Sequence, residues 1–284
     1  MPEKPSFASE YSRQQAELVR QTCLYVATKL GDLLDELVVV GGLVPSLLIP
    51  EESVSEGEDI HVGTMDLDLG LSMALLKTDR YEELIERLRR ADFEPDKNKA
   101  GNPTLQRWKI EVAGQPKVTV DFVIPPSLNQ DHGGEIRHIE DDFGAVITPG
   151  LNLAFRDRLK VSLSGSTIRG EKATREIWVC GPGAFVVLKA LAFDGRGENK
   201  DAYDLFYMIR YYGSGLEDVL KCLNPLLHEQ DTRKALQILR RDFAEPNGVG
   251  PRRVALFMYG TPNEALQADV AGLVRELLRK CESA

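Results

Sequence analysis

Three aspartates are, by type and spacing, the residues of this chain best suited to do chemistry. Asp66 and Asp68 stand two apart in TMDLDLGLS, a stretch that alternates in period two. A strand there puts both carboxylates on one face and Leu67 and Leu69 on the other. Aspartate is a poor strand former, and adjacent carboxylates repel unless a cation lies between them. Hard oxygen ligands suit Mg²⁺, with Mn²⁺ as an alternative occupant. An exposed strand face would account for the pair without any metal. Asp121 sharpens the choice, because it is the single carboxylate of the apolar, β-branched stretch VTVDFVI. A carboxylate buried in such a strand is paired or metal-bound. If the two strands are neighbours, three carboxylates converge, as needed to hold two Mg²⁺ ions about 3.5–4 Å apart. A salt-bridged or strand-end Asp121 is the structural alternative.

A third element precedes these. ELVVVGG is a short β-branched run ending in Gly41 and Gly42. Glycines directly after a buried strand let the backbone approach a phosphate, and the N-terminus of a following helix would present free N–H groups to it. Alone, two glycines are simply a turn. Lying ahead of the aspartate pair in one βαβ-like unit, they acquire a functional reading.

The elements that must position these residues follow from periodicity. Residues 11–35 repeat apolar positions at helical spacing (Ala16, Val19, Cys23, Val26, Leu30) and predict an amphipathic helix. LVPSLLI predicts a short helix stopped by Pro50, and residues 51–63 an acidic loop. Asp79 is placed to cap the helix YEELIERLRRADF. LQRWKIEV and KVTVDFVI predict two strands joined by the hairpin-like AGQP. Residues 125–143 read as loop, and 144–180 as short strands around a Gly165–Gly170 turn. Beyond Pro182 the pattern is helical over 183–194, 199–212, 215–228, 231–243 and 262–281. The expected fold class is α+β: a mixed sheet flanked by helices, then a helical C-terminal part, divided as 1–174 and 175–284.

Composition bounds the rest. The 284 residues are 43% hydrophobic and 28% charged, near globular averages. No run of 18 apolar residues predicts a membrane span, and the N-terminus lacks a signal-peptide core. The four cysteines are widely spaced with no metal-ligand pattern, which fits reduced thiols in a cytoplasmic protein. A net charge of −9 argues against general polyanion coating. The charge is uneven, however: Glu51 to Asp68 holds seven acidic residues and no Lys or Arg. Arg233, Lys234, Arg240, Arg241, Arg252 and Arg253 form a local basic stretch, either a polyanion surface or an ordinary solvated face.

The order strand–GG–helix, then Thr64-x-Asp66-x-Asp68, then the lone strand Asp121 resembles the nucleotidyltransferase superfamily. More narrowly, the chain resembles the AbiEii-like and MenT-like nucleotidyltransferase toxins of type IV toxin–antitoxin systems. CGPGAFVVLKALAFDGR followed by ENKDAYDLFYMIR looks like that branch's lysine helix and basic-Asp-x-x-Asp-Leu motif. The likeness spans roughly residues 36–212. It departs at Gly42, where many members have Ser, and at His61 or Gly63, where Arg is common. The resemblance implies that Gly41 and Gly42 cradle nucleotide phosphates beside Thr64, and that Asp66, Asp68 and Asp121 bind metal. Lys189 would contact the triphosphate, and Asp204 would orient Lys189 or the nucleotide. A lysine inside an apolar helix does need either a carboxylate partner or a path to solvent. The implied activity is Mg²⁺-dependent transfer of NMP from an NTP to an acceptor hydroxyl, often on tRNA, with an antitoxin as a possible partner protein. A catalytically silent nucleotidyltransferase-like regulator and an aminoglycoside-type small-molecule transferase are the alternatives. A metal-dependent glycosyltransferase fits less well, because it explains neither the GG turn nor Asp121.

Overall fold

Leu37–Val40 forms strand β1, buried at all four positions. A continuous apolar run of this kind belongs at the centre of a sheet, covered on both faces. The computed structural model describes residues 5–56, 60–77 and 80–283. β1 lies antiparallel to β2 (Asp66–Leu71) and parallel to β9 (Lys172–Cys180). β2 lies parallel to β5 (Val118–Ile124), which pairs antiparallel with β4 (Pro103–Ile110). β3 (Glu94–Lys97) and β8 (Arg158–Ser166) close the two ends of the order β3-β4-β5-β2-β1-β9-β8. β7 (Phe143–Ile147) joins the C-terminal end of β5, and β6 (Ile136–Glu140) joins β7. Among the described residues the sheet is therefore mixed and nine-stranded.

Alternation along β4 and β5 sorts their side chains. Trp108, Phe122 and Phe143 pack as one aromatic cluster, with ring centroids 5.1 and 6.0 Å apart. All three are fully buried, and burying a side chain such as Phe122 contributes about 1.5–3 kcal/mol. Their chain neighbours Arg107 and Asp121 must then emerge on the opposite face. Helix α1 (Arg13–Leu30) packs Val19, Cys23, Val26 and Leu30 inward, and α2 (Val44–Leu48), α3 (Met73–Lys77), α4 (Arg80–Arg90) and α5 (Leu151–Arg156) follow. Asp79, the expected cap of α4, lies outside the described residues.

The chain divides into two compact units. The first takes Arg13–Val44 and Gly63–Cys180, and carries the sheet. The second takes residues from Gly181 onward together with Pro45–Val62 and residues 5–12. It is built on α6 (Pro182–Arg196), α7 (Asn199–Tyr211), α8 (Leu216–Leu223), α9 (Gln230–Asp242), α10 (Val249–Tyr259) and α11 (Glu264–Glu282). Phe193, Phe243, Tyr203 and Phe257 are among its core side chains. The class is α+β, as expected: a mixed open sheet with flanking helices, and a helical C-terminal part.

Several local expectations change. β8 and β9 are nine residues each, a long hairpin where short strands were expected. β6 occupies part of the stretch read as loop. Helix α10 was hidden by Gly248, Gly250 and Pro251. Pro251 sits in the first turn, where its missing N–H needs no intrahelical partner. A Cβ on Gly250 would lie 2.3 Å from the Phe243 ring, so close packing explains the glycine.

Candidate metal centre

The parallel pairing of β2 and β5 sets Asp68 directly beside Asp121. Asp66, one full period earlier on β2, shares that face. One carboxylate oxygen from each of Asp66, Asp68 and Asp121 lies within 4.8 Å of the others. Opposite ligands around Mg²⁺ at about 2.1 Å stand roughly 4.2 Å apart, so this spacing fits a divalent ion after small adjustment. Asp66 is buried, and Asp68 and Asp121 are half-buried. Three acidic groups so placed in an apolar sheet demand a counter-charge.

Part of that charge comes from a residue the sequence did not single out. Arg107 on β4 stands opposite Asp121 in the β4–β5 register. Its Nε donates to Asp121 Oδ1 at 2.6 Å, and its Nη2 donates to Asp121 Oδ2 and, at 3.4 Å, to Asp66 Oδ2. The hydrogen bond to Asp121 raises the guanidinium's already high pKa; burial opposes this, and the charges of Asp121, Asp66 and Asp68 reinforce it. The only sequence signal was a strand arginine next to Trp108, since the register of a hairpin depends on its turn.

Gly41 ends β1 against this cluster. Its φ is +72°, and a Cβ there would fall 1.8 Å from Asp68 Oδ2. Gly41 is thus required both by its left-handed backbone and by the carboxylate beside it. Gly42 is buried in the same 3₁₀ turn, Gly41–Leu43. The helix that follows, α2, has only five residues, and Pro45 lacks an N–H. This offers fewer donors than the helix N-terminus expected after the glycines. Thr64 donates its hydroxyl to Asp66 Oδ1 at 3.1 Å, orienting that carboxylate.

Lys189 and Asp204 come together within the second unit. Lys189 Nζ is 2.9 Å from Asp201 Oδ1 and 2.7 Å from Asp204 Oδ2. Arg196 forks onto Asp201 at 2.6 and 2.8 Å, and Lys200 donates to Asp204 Oδ1. His61 Nε2 lies 2.9 Å from the same Asp204 oxygen, and Ser46 Oγ lies 3.1 Å from His61 Nδ1. The hydroxyls of Tyr207 and Tyr203 accept from the backbone N–H groups of His61 and Val62, respectively. Burial would raise the Asp204 pKa, but Lys189, Lys200 and His61 overcome it and hold the carboxylate ionised. Burial would likewise lower Lys189, and Asp204 and Asp201 override it. For His61 burial prevails, aided by Lys200, and the imidazole pKa falls to about 4. Lys189 is therefore a buried, doubly paired ammonium, not a snorkelling one.

No protein-family model matches this sequence. No curated protein matches it either. Among solved structures the chain is similar to an antigenic nucleotidyltransferase-like protein from Paracoccidioides brasiliensis. The identity is 17% over 78% of this chain and 88% of that one, with a TM-score of 0.41.

The basic stretch is less open than its composition suggests. Arg240 pairs with Glu282, and Arg241 pairs with Asp194 at 2.7 Å and with Asp242 at 2.6 Å. Arg233 and Arg252 are exposed and, among the described residues, form no ion pair. No helix in the described residues is long and apolar enough to cross a membrane.

Proposed function

We propose that this chain is a divalent-metal-dependent nucleotidyltransferase, moving NMP from an NTP to an acceptor hydroxyl with release of pyrophosphate. The observation that carries this reading is the convergence of Asp66, Asp68 and Asp121 on one sheet face, with Gly41 kept free of a side chain against Asp68. The donor set suits Mg²⁺ or Mn²⁺, because all three ligands are hard oxygens at fitting separation. Such an ion would neutralise phosphate charge and sharpen the acceptor hydroxyl as a nucleophile. The chain's own residues would do the positioning. Asp66, fixed by Thr64, and Asp68 hold the metal, and Asp121 serves as ligand or as base toward the acceptor proton. The turn at Gly41 and Gly42 admits a phosphate close to the backbone. Lys189 serves the triphosphate, with Asp204 orienting its ammonium. For the acceptor, an RNA such as the tRNA 3′ end is the first choice and a toxin–antitoxin setting the context, supported by the motif resemblance and by Arg233 and Arg252.

A second reading has its own observation. Arg107 grips both oxygens of Asp121, and a site in which arginine instead of metal engages that carboxylate would suit a catalytically silent, regulatory protein. One experiment separates the two. Purified protein is incubated with each α-labelled NTP, Mg²⁺ or Mn²⁺, and total RNA or an aminoglycoside, beside an Asp68→Asn control. Label entering an acceptor in a manner dependent on Asp68 supports the transferase. Absence of any transfer above that control overturns it in favour of the silent reading.

A further inference from the structure

We propose that Arg107 is a built-in cation of the metal site, withholding Asp121 so that the nucleotide-free protein takes one divalent ion where the three carboxylates alone would hold two. The inference rests on the metal-dependent reading above. Three observations carry it. First, the guanidinium engages both oxygens of Asp121, with Nε on Oδ1 at 2.6 Å and Nη2 on Oδ2, and Nη2 reaches Asp66 Oδ2 at 3.4 Å. A metal ion bound by Asp121 would have to displace a forked, charge-assisted pair, among the strongest hydrogen bonds a carboxylate makes. Second, Arg107 is set there by the fold. Its backbone is in register with Asp121, its neighbour Trp108 is locked in the aromatic cluster, and only 11% of its side chain is exposed. Third, the charges match. Three carboxylates against one guanidinium leave two negative charges, which a single divalent ion neutralises. Two such ions together with Arg107 would leave the cluster positive until nucleotide phosphates arrive. Arginine is also the cation whose planar fork fits a carboxylate, which lysine cannot imitate. Binding of a second ion then requires Arg107 to leave Asp121, and the phosphates of an incoming nucleotide offer its guanidinium an alternative partner.

The test is a Mn²⁺ titration of the nucleotide-free full chain, reading free Mn²⁺ by electron paramagnetic resonance. Wild type, Arg107→Gln, Arg107→Lys and Asp68→Asn are compared, and each is also melted with and without Mn²⁺. The expected result is one ion in wild type and either a second ion or about tenfold tighter binding in Arg107→Gln, equivalent to about 1.4 kcal/mol. Arg107→Lys should fall between them, and Mn²⁺ should raise the melting temperature of Arg107→Gln more than that of wild type. If Arg107→Gln does not fold without metal, Arg107→Lys decides by the same readout. Two ions in nucleotide-free wild type, or unchanged number and affinity in the variants, overturns the proposal. With NMP transfer intact, that outcome removes Arg107's role alone. No Mn²⁺ bound by wild type or either arginine variant overturns this proposal together with the metal-dependent reading.

Discussion

Gly41 and Asp68 are close enough that any β-carbon on Gly41 would lie 1.8 Å from Asp68 Oδ2. The strand that delivers the glycine and the strand that delivers the aspartate are paired, with Val40 opposite Asp68. The turn and the carboxylate are therefore one structural device. Gly41→Ala must strain a positive φ and push Asp68 aside together. We expect a loss of about 1–3 kcal/mol in stability from the backbone alone, and loss of Mn²⁺ binding measured by titration. An alanine variant that binds Mn²⁺ as wild type does would show that Asp68 is not a ligand.

Lys189 joins two buried aspartates, so its removal leaves Asp201 and Asp204 with Arg196, Lys200 and His61 alone. Breaking a buried ion pair in this way costs about 3–5 kcal/mol. Lys189→Ala should show that loss in denaturant unfolding. The functional role is read separately, as NTP use per folded molecule. If that value is unchanged, Lys189 is structural only.

His61 predicts a pH response. Its pKa is near 4 in the folded chain, against about 6.5 when unfolded. Between those values the unfolded chain binds a proton that the native state refuses, so stability must fall as pH drops through this window. Each unit of difference is worth about 1.4 kcal/mol. His61→Gln should flatten the decline between pH 7 and 5, measured as unfolding free energy. An equally steep decline in the variant would assign the proton uptake to another group.

The basic stretch can be divided by partner. Arg240 and Arg241 face carboxylates, whereas Arg233 and Arg252 are exposed without ion pairs among the described residues. If RNA is the acceptor, reversing Arg233 and Arg252 to Glu should weaken binding and reduce the salt slope by about 0.7 per lost phosphate contact. Reversing Arg240 and Arg241 should instead lower the melting temperature through repulsion with Glu282, Asp194 and Asp242. An unchanged salt slope in the Arg233 and Arg252 variant would place any RNA surface elsewhere.

What the sequence determined by itself is local. Period-two alternation puts Asp66 and Asp68 on one strand face, and an apolar run makes Val38 and Val39 a buried strand. Helical spacing defines α1, α6, α7 and α11. These signals survive because each depends on residues within one or two turns of chain. What the tertiary structure decided is pairing at a distance. Asp68 meets Asp121 only through a parallel β2–β5 register, and Arg107 meets Asp121 only through a hairpin whose register its loop residues leave open. His61 reaches Asp204 across 143 positions of sequence. His61 and the strand arginine Arg107 look like ordinary surface residues in the chain, because the carboxylates that explain them are supplied by other elements. A one-residue shift in either strand pair would turn Asp121 or Arg107 to the opposite face, so the charge of the site is set by register, which no local pattern specifies.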